Sequence, residues 1–290
     1  MEKRILMVFV DGLGQGKPDP AFNPVVGGCC PALADLVTNH AVPLDACLGI
    51  PGLPQSATGQ TTLLTGVNAA AAVGRHVEGF PGPELRGIIE EHNIFRRLLA
   101  AGRTATFANA YYVSDMEAVF KSRLRSVTTI AALNAFGRVR DMRAMERNGA
   151  VYQDITRELL RDRGYTGPLV APAEAAGHLL GIARAHDFTL FEYFQTDRAG
   201  HAADMPAAQE VLATLDAFLA PVIEGCQAEG IDFILTSDHG NIEDVRTRSH
   251  TINPVPFAAV GHAADELMCG VRSLVDVTPS IVRVLARPVH

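Results

Sequence analysis

The groups in this sequence that could do chemistry are mostly carboxylates and imidazoles, and their spacing repeats. Asp11 follows the apolar run Ile5 to Val10, Asp197 follows Phe188 to Gln195 with His201 four residues on, and Asp238-His239 follows Asp232 to Thr236. His250 stands shortly before another apolar run, Pro256 to Val260. Singly, each has a plainer role: an Asp after a strand commonly closes a turn, and a lone His more often packs or faces water than binds anything. Jointly, they deliver acidic and imidazole groups to one edge of one sheet, where like charges repel unless cations lie between them. Divalent metal is the economical reading. Mixed oxygen and nitrogen donors suit two zinc or manganese ions better than an all-oxygen magnesium or calcium cage, and magnesium stays open as a third choice. His40, His76, His92, His178, His186, His262 and His290 lack this placement and are expected to be structural.

A nucleophile would come from the hydroxyl-rich segment Pro54 to Gly66, which begins as a loop and turns into a short helix ending at Gly66. That puts Ser56 at the helix entrance. A hydroxyl is a weak nucleophile near its free pKa, but a cation on its oxygen and the positive end of a helix both stabilise the alkoxide. Taken alone, Ser56 reads more readily as an ordinary N-cap in a Thr-rich loop, and Thr58, Thr61 and Thr62 are rival hydroxyls. The residue types alone leave that choice open.

The elements that must position these groups alternate. Strands are expected at Ile5 to Val10, Thr104 to Ala108, Phe188 to Gln195, Asp232 to Thr236 and Pro256 to Val260. Helical periodicity fills Pro31 to Thr38, Ile94 to Ala101, Ile155 to Arg163, Ala173 to Ala185 and Pro206 to Ala228, the last capped by Asp204. Such alternation predicts an α/β fold, a mainly parallel sheet between two helical layers, with the site beyond the carboxyl ends of the strands. The 290 residues, 48% hydrophobic, predict one elaborated domain over 1–290. Within it, residues 111–149 fit the rhythm poorly and are rich in Lys and Arg, as a small inserted cap would be. A net charge of −7 argues against a nucleic-acid partner, and Gly12 to Gly16 lacks the spacing of a dinucleotide loop. No apolar run reads as a membrane span, and Met1-Glu2-Lys3-Arg4 leads into an apolar stretch too short for a signal peptide. The expected location is the cytoplasm. Five cysteines without metal or redox spacing are expected to be reduced and structural.

Four blocks together resemble the alkaline phosphatase superfamily: Val10-Asp11-Gly12-Leu13-Gly14, Thr196-Asp197-Arg198-Ala199-Gly200-His201, Thr236 to Glu243, and Ser249-His250-Thr251 followed by Asn253-Pro254-Val255-Pro256-Phe257. The Asp-His-Gly-Asn block looks closest to the cofactor-independent phosphoglycerate mutase branch. The resemblance implies that Asp197, His201 and His250 hold one metal and that Asp11, Ser56, Asp238 and His239 hold a second. It also implies Ser56 as nucleophile, because the family's nucleophile stands ten residues before the Gly that closes a Leu-Leu-Thr-Gly-like turn, here Gly66. Gly59 matches the mutase pattern and Gln60 departs from its His. The Pro-Ser-Arg of sulfatases is absent after the nucleophile.

The implied chemistry is phosphoryl transfer from a small phosphorylated metabolite through a phosphoserine. Mutase relatives close a large inserted domain over the site to exclude water, and this chain has no room for one. Hydrolysis of a phosphate monoester or diester is therefore the leading expectation, with a phosphomutase and a catalytically silent metal-binding scaffold as alternatives. The basic residues Lys121, Arg123, Arg125, Arg138, Arg140, Arg143 and Arg147 either hold a second anionic group of the substrate or face solvent. Asn109 either donates to the phosphoryl group or serves a turn.

Overall fold

All six positions of strand β1 (Ile5–Val10) are apolar and buried, as befits a strand covered on both faces. In the computed structural model, which describes residues 3–113 and 116–286, β1 is the centre of a six-stranded sheet ordered β2-β6-β5-β1-β4-β3. The other strands are β2 (Ala41–Leu44), β3 (Ala105–Phe107), β4 (Phe188–Tyr193), β5 (Asp232–Thr236) and β6 (Val255–Val260). β1 pairs in parallel with β4 and β5, and β3 pairs in parallel with β4. β6 runs antiparallel to β5, and β2 antiparallel to β6. Met1, Glu2, two positions of the 111–149 stretch and His290 lie outside the described residues.

Alternate residues of β1 enter two separate cores. Ile5, Met7 and Phe9 pack under the helices Ser56–Thr65, Ile94–Ala100, Val127–Phe136 and Leu274–Ala286. Leu6, Val8 and Val10 pack under Pro31–Asn39, Pro172–Ala183 and Met205–Glu229. The result is the expected three-layer α/β/α architecture. The helix Met205–Glu229 is long and apolar enough to span a bilayer, which the sequence reading did not anticipate. It lays Leu212, Leu215, Phe218, Leu219 and Val222 into the second core. Of the stretch 111–149, the helix Val127–Phe136 lies in the first core. Met145 instead joins Ala110, Ala150, Tyr152, Leu160 and Tyr165 in a small satellite cluster.

Two local expectations need correction. Ile155 to Arg163 is not an α-helix: Ile155 and Arg157 have φ of 69° and 68°, and only a 3-10 turn, Glu158–Arg163, follows. The Asp154 carboxylate accepts from the backbone of Arg157 and Leu159, a local bonding pattern that competes with the helix. The strand Phe188 to Gln195 stops at Tyr193, because Gln195 already opens the helix Gln195–Ala202. Asp197 and His201 consequently share one face of that helix, four residues apart.

Candidate metal centre

The topology explains how distant residues share one edge. Asp11 and Asp238 leave the carboxyl ends of β1 and β5, and Asp197 lies just beyond β4. His250 precedes β6, and because β6 is antiparallel its beginning lies at that same edge. A backbone bond from Thr251 N to Gly240 O (2.9 Å) ties the His250 segment to the loop carrying His239.

Asp11, Ser56, Asp238 and His239 converge on one point. His239 Nε2 lies 3.0 Å from Ser56 Oγ, 3.3 Å from Asp11 Oδ1 and 3.5 Å from Asp238 Oδ2. The one hydrogen that His239 Nε2 can carry cannot serve both carboxylates and the hydroxyl at once. In each carboxylate the other oxygen is already engaged: Gln60 Nε2 donates to Asp11 Oδ2 at 3.1 Å, and Gly12 N donates to Asp238 Oδ1 at 3.4 Å. Asp11 Oδ1 and Asp238 Oδ2 are buried with no hydrogen-bond partner among the described residues. Two free carboxylate oxygens, an imidazole nitrogen and a hydroxyl around one point fit a divalent cation.

Asp197, His201 and His250 form a second convergence. Asp197 lies 3.4 Å from both rings, through Oδ2 to His201 Nε2 and through Oδ1 to His250 Nε2, and the two Nε2 atoms are 3.1 Å apart. Each Nδ1 donates to a carbonyl, His201 to Arg248 O (2.7 Å) and His250 to Pro54 O (2.8 Å). A carbonyl only accepts, so in each ring Nδ1 is the nitrogen already used and Nε2 is the one turned toward Asp197 and the other ring, where it can serve as a ligand to a cation. His239 borders both sets, offering an atom close to Asp197 and His250 as well as to Asp11 and Asp238, and its ring stacks on His250 at 3.7 Å. All seven residues singled out in the sequence thus lie together.

The charge balance agrees. Burial and the neighbouring Asp238 push the Asp11 carboxyl well above the ordinary carboxylate range. Burial alone would lower the His239 imidazole, but the surrounding Asp238, Asp11 and Asp197 raise it to about 10. Burial works to raise Asp197, yet its bond to His250 and the charge of His239 hold it at about 2. Crowded carboxylates recruit positive charge here, as a proton or as a metal.

Ser56 is the first residue of the helix Ser56–Thr65, whose N-cap is Gln55. Its rivals are spent inside that helix: Thr58 Oγ1 donates to Gln55 O, Thr61 Oγ1 to Ala57 O and Thr62 Oγ1 to Thr58 O. Gly59 lets the helix approach, since a Cβ there would meet Asp238 O at 2.8 Å.

Several supporting residues went unassigned in the sequence. Glu243, fully buried, accepts from Gly14 N (2.9 Å), Asn241 N (2.7 Å), Thr251 Oγ1 and Asn253 Nδ2 (3.0 Å), stapling three loops of the site. Gly14 is required there because a Cβ would fall 2.2 Å from Glu243 Oε1. Asn241 Nδ2 donates to Asp197 Oδ1 at 2.7 Å. Asn241 and Glu243 stand inside the Thr236 to Glu243 block, which was their only signal.

Beside Ser56 opens a cleft of about 400 Å³, with Asp11, Ser56 and Gln60 at one end and Asn109 and Glu192 in its wall. Asn109 is committed to the sheet, exchanging hydrogen bonds with the Glu192 backbone at 2.7 and 2.8 Å. None of the seven basic residues between Lys121 and Arg147 lines this cleft. Arg140, for example, is spent on Phe107 O, Gly149 O and Thr106 Oγ1.

A three-layer α/β fold that gathers carboxylates, imidazoles and one hydroxyl at the carboxyl edge of its sheet defines a metal-dependent enzyme. The chain belongs to the metalloenzyme superfamily, whose sequence model matches residues 3–287. It is 30% identical over 111 residues to the 2,3-bisphosphoglycerate-independent phosphoglycerate mutase of Methylobacillus flagellatus, a match covering 36% of this chain and 22% of that protein. The chain thus spans less than a quarter of that relative's length. The fold matches the PH0037 protein of Pyrococcus horikoshii (TM-score 0.61, 15% identity, 100% of this chain and 98% of that one). It also matches the alkaline phosphatase of the Antarctic bacterium TAB5 (TM-score 0.57, 12% identity, 99% and 100%). The alkaline phosphatase-like fold expected from the four sequence blocks is the fold found.

Proposed function

We propose that this protein is a two-metal phosphohydrolase that cleaves a phosphate ester through a phosphoserine formed on Ser56. The observation that carries this reading is the position of Ser56 Oγ, 3.0 Å from His239 Nε2 at the entrance of a buried helix. The unpartnered oxygens of Asp11 and Asp238 converge on that same imidazole nitrogen. Asp197, His201 and His250 would hold one divalent ion, and Asp11, Asp238 and His239 with Ser56 the other. Bound there, such ions polarise phosphoryl oxygens and favour the Ser56 alkoxide. The helix Ser56–Thr65 adds the positive end of its dipole at the nucleophile and, being buried along its length, fixes the attack direction. Gln60 keeps Asp11 oriented and Asn241 keeps Asp197 oriented. Ser56 Oγ attacks phosphorus, the bond to the leaving oxygen breaks, and water then releases phosphate and restores the serine.

A phosphomutase is the second reading, favoured by the likeness to phosphoglycerate mutases. The cleft supports hydrolysis instead, since a second anionic group of the substrate would meet only one guanidinium among the described residues, that of Arg163.

The test is manganese- or zinc-loaded Ser56→Ala assayed on aryl phosphates, with trapping of phosphoserine by acid quench in the parent enzyme. Turnover should fall by about a thousandfold or more with metal content retained. A fully active Ser56→Ala would move the attack to water and overturn the phosphoserine. Product formed in ¹⁸O-water carries label in the phosphate for hydrolysis and none for internal transfer.

A further inference from the structure

Away from the metal donors, the walls of the cleft are made of rings. Phe80, Phe107, Tyr111, Tyr112, Tyr152 and Phe194 line it. Phe107 and Tyr152 are buried, whereas Phe80 is 47% exposed. The polar groups along this wall are largely committed to one another. Tyr111 Oη pairs with Thr129 Oγ1 at 2.6 Å, Ser126 Oγ bridges Thr128 and Thr129 (2.9 and 2.7 Å), and Thr128 donates to Glu192 at 2.6 Å. That closed chain leaves ring faces to meet a ligand. Arg163, the one guanidinium lining the cleft among the described residues, lies over the Tyr112 ring at 5.2 Å and donates to Tyr112 O at 3.5 Å. A leaving group with an anion of its own, a carboxylate or a second phosphate on a short aliphatic frame, would need more guanidinium forks than this one and would bury its charge against apolar rings.

We propose that the preferred substrate is a phosphate monoester whose leaving alcohol carries a planar aromatic ring, seated against Phe80 and Tyr112 while its phosphoryl group sits at Ser56. This rests on the phosphohydrolase reading. Offset or edge-on contacts between rings add to area burial. Overall, ester and water give the ring-bearing alcohol and inorganic phosphate: the bond from phosphorus to the leaving oxygen breaks, its electron pair stays on that oxygen, and the oxygen takes up the proton that Ser56 gives up.

The test compares benzyl phosphate with ethyl phosphate, two alkyl esters of similar leaving-group basicity, and with 3-phosphoglycerate, all on manganese-loaded enzyme. We expect kcat/KM for benzyl phosphate to exceed that of the other two by about tenfold or more. Tyr112→Ala, and separately the surface change Phe80→Ala, should bring the benzyl-to-ethyl ratio towards one. A second readout needs no turnover. The chain has no tryptophan and five tyrosines, three of which (Tyr111, Tyr112 and Tyr152) line the cleft, so benzylphosphonate should alter tyrosine emission saturably and ethylphosphonate should not. A ratio near one in the parent enzyme, or a preference for 3-phosphoglycerate, overturns the aromatic substrate and leaves phosphohydrolase activity standing. Absence of all ester turnover would sink the phosphohydrolase reading instead, and saturable benzylphosphonate binding would still decide the aromatic site.

Discussion

The Nε2 atoms of His201 and His250 face one another at 3.1 Å while each ring gives its Nδ1 hydrogen to a backbone carbonyl, Arg248 O for one and Pro54 O for the other. Both carbonyls belong to loops that leave the sheet's carboxyl edge, so the rings are aimed before any ligand arrives. Two ring nitrogens turned toward one point, with Asp197 3.4 Å from each ring, form a donor set that suits a cation.

His250→Ala should therefore reduce bound metal from two equivalents to one, measured by elemental analysis after gel filtration. With free manganese at a hundredfold over its dissociation constant, each occupied site contributes roughly 3 kcal/mol to stability. Chelation should accordingly lower Tm by several degrees, and by less in His250→Ala. Retention of both equivalents in the variant would remove His250 from the donor set.

Gln60 stands where the mutase pattern has His, and its amide holds Asp11 Oδ2 at 3.1 Å, leaving Oδ1 free. Gln60→Leu keeps the volume and removes the donor. Affinity for one metal should fall by about ten- to a hundredfold, with activity at limiting metal falling in parallel and recovering in excess. Isothermal titration of metal-free protein measures this. An unchanged affinity would mean that the Gln60 bond does not orient Asp11.

How much of this was legible in sequence depends on whether a residue's role is local. β1 reads clearly because burial on both faces leaves an unbroken apolar run. β2 (Ala41–Leu44) does not, being a four-residue edge strand with Pro43 in it. Most of the candidate donors were legible because Asp11, Asp197, Asp238, His239 and His250 stand near strand ends, which a one-dimensional pattern records, whereas Ser56 was singled out by the family resemblance. Gln60 acting on Asp11 across 49 residues, and Glu243 on Gly14 across 229, leave no such trace, because the fold alone makes them neighbours. The helix expected at Ile155 to Arg163 failed for the opposite reason: Asp154 satisfies local backbone donors that apolar periodicity does not register.

Glu243 has both carboxylate oxygens filled by donors from the loops of Gly14, Asn241, Thr251 and Asn253. In Glu243→Gln one oxygen becomes an amide nitrogen, which cannot accept, so one pair of donors must face another donor in a buried place. The expected loss is about 2–4 kcal/mol, read as a lower urea midpoint with unchanged slope. Gly14→Ala should cost a comparable amount, because its methyl group displaces the same carboxylate. Midpoints within error of the parent for both variants would show that the staple contributes nothing.

Glu192 ends the row of polar groups that begins at Tyr111, accepting from Thr128 Oγ1 at 2.6 Å inside the cleft wall. Burial raises its carboxyl from the ordinary 4.5 to about 7, with the charge of Asp238 adding to the effect and the Thr128 bond opposing it. The native state therefore holds this proton more tightly than the unfolded chain does. Its contribution to stability is whole below about pH 4.5, falls as pH rises, and is lost above about pH 7, a change on the order of 3 kcal/mol. Glu192→Gln, which still accepts from Thr128, should flatten that part of the profile. In chelated protein, where no cation shares the charge of Asp238, the variant should match the parent near pH 4.5 and exceed its stability near pH 8. Parallel urea-unfolding profiles for the two proteins across that window would show that Glu192 titrates as an ordinary glutamate.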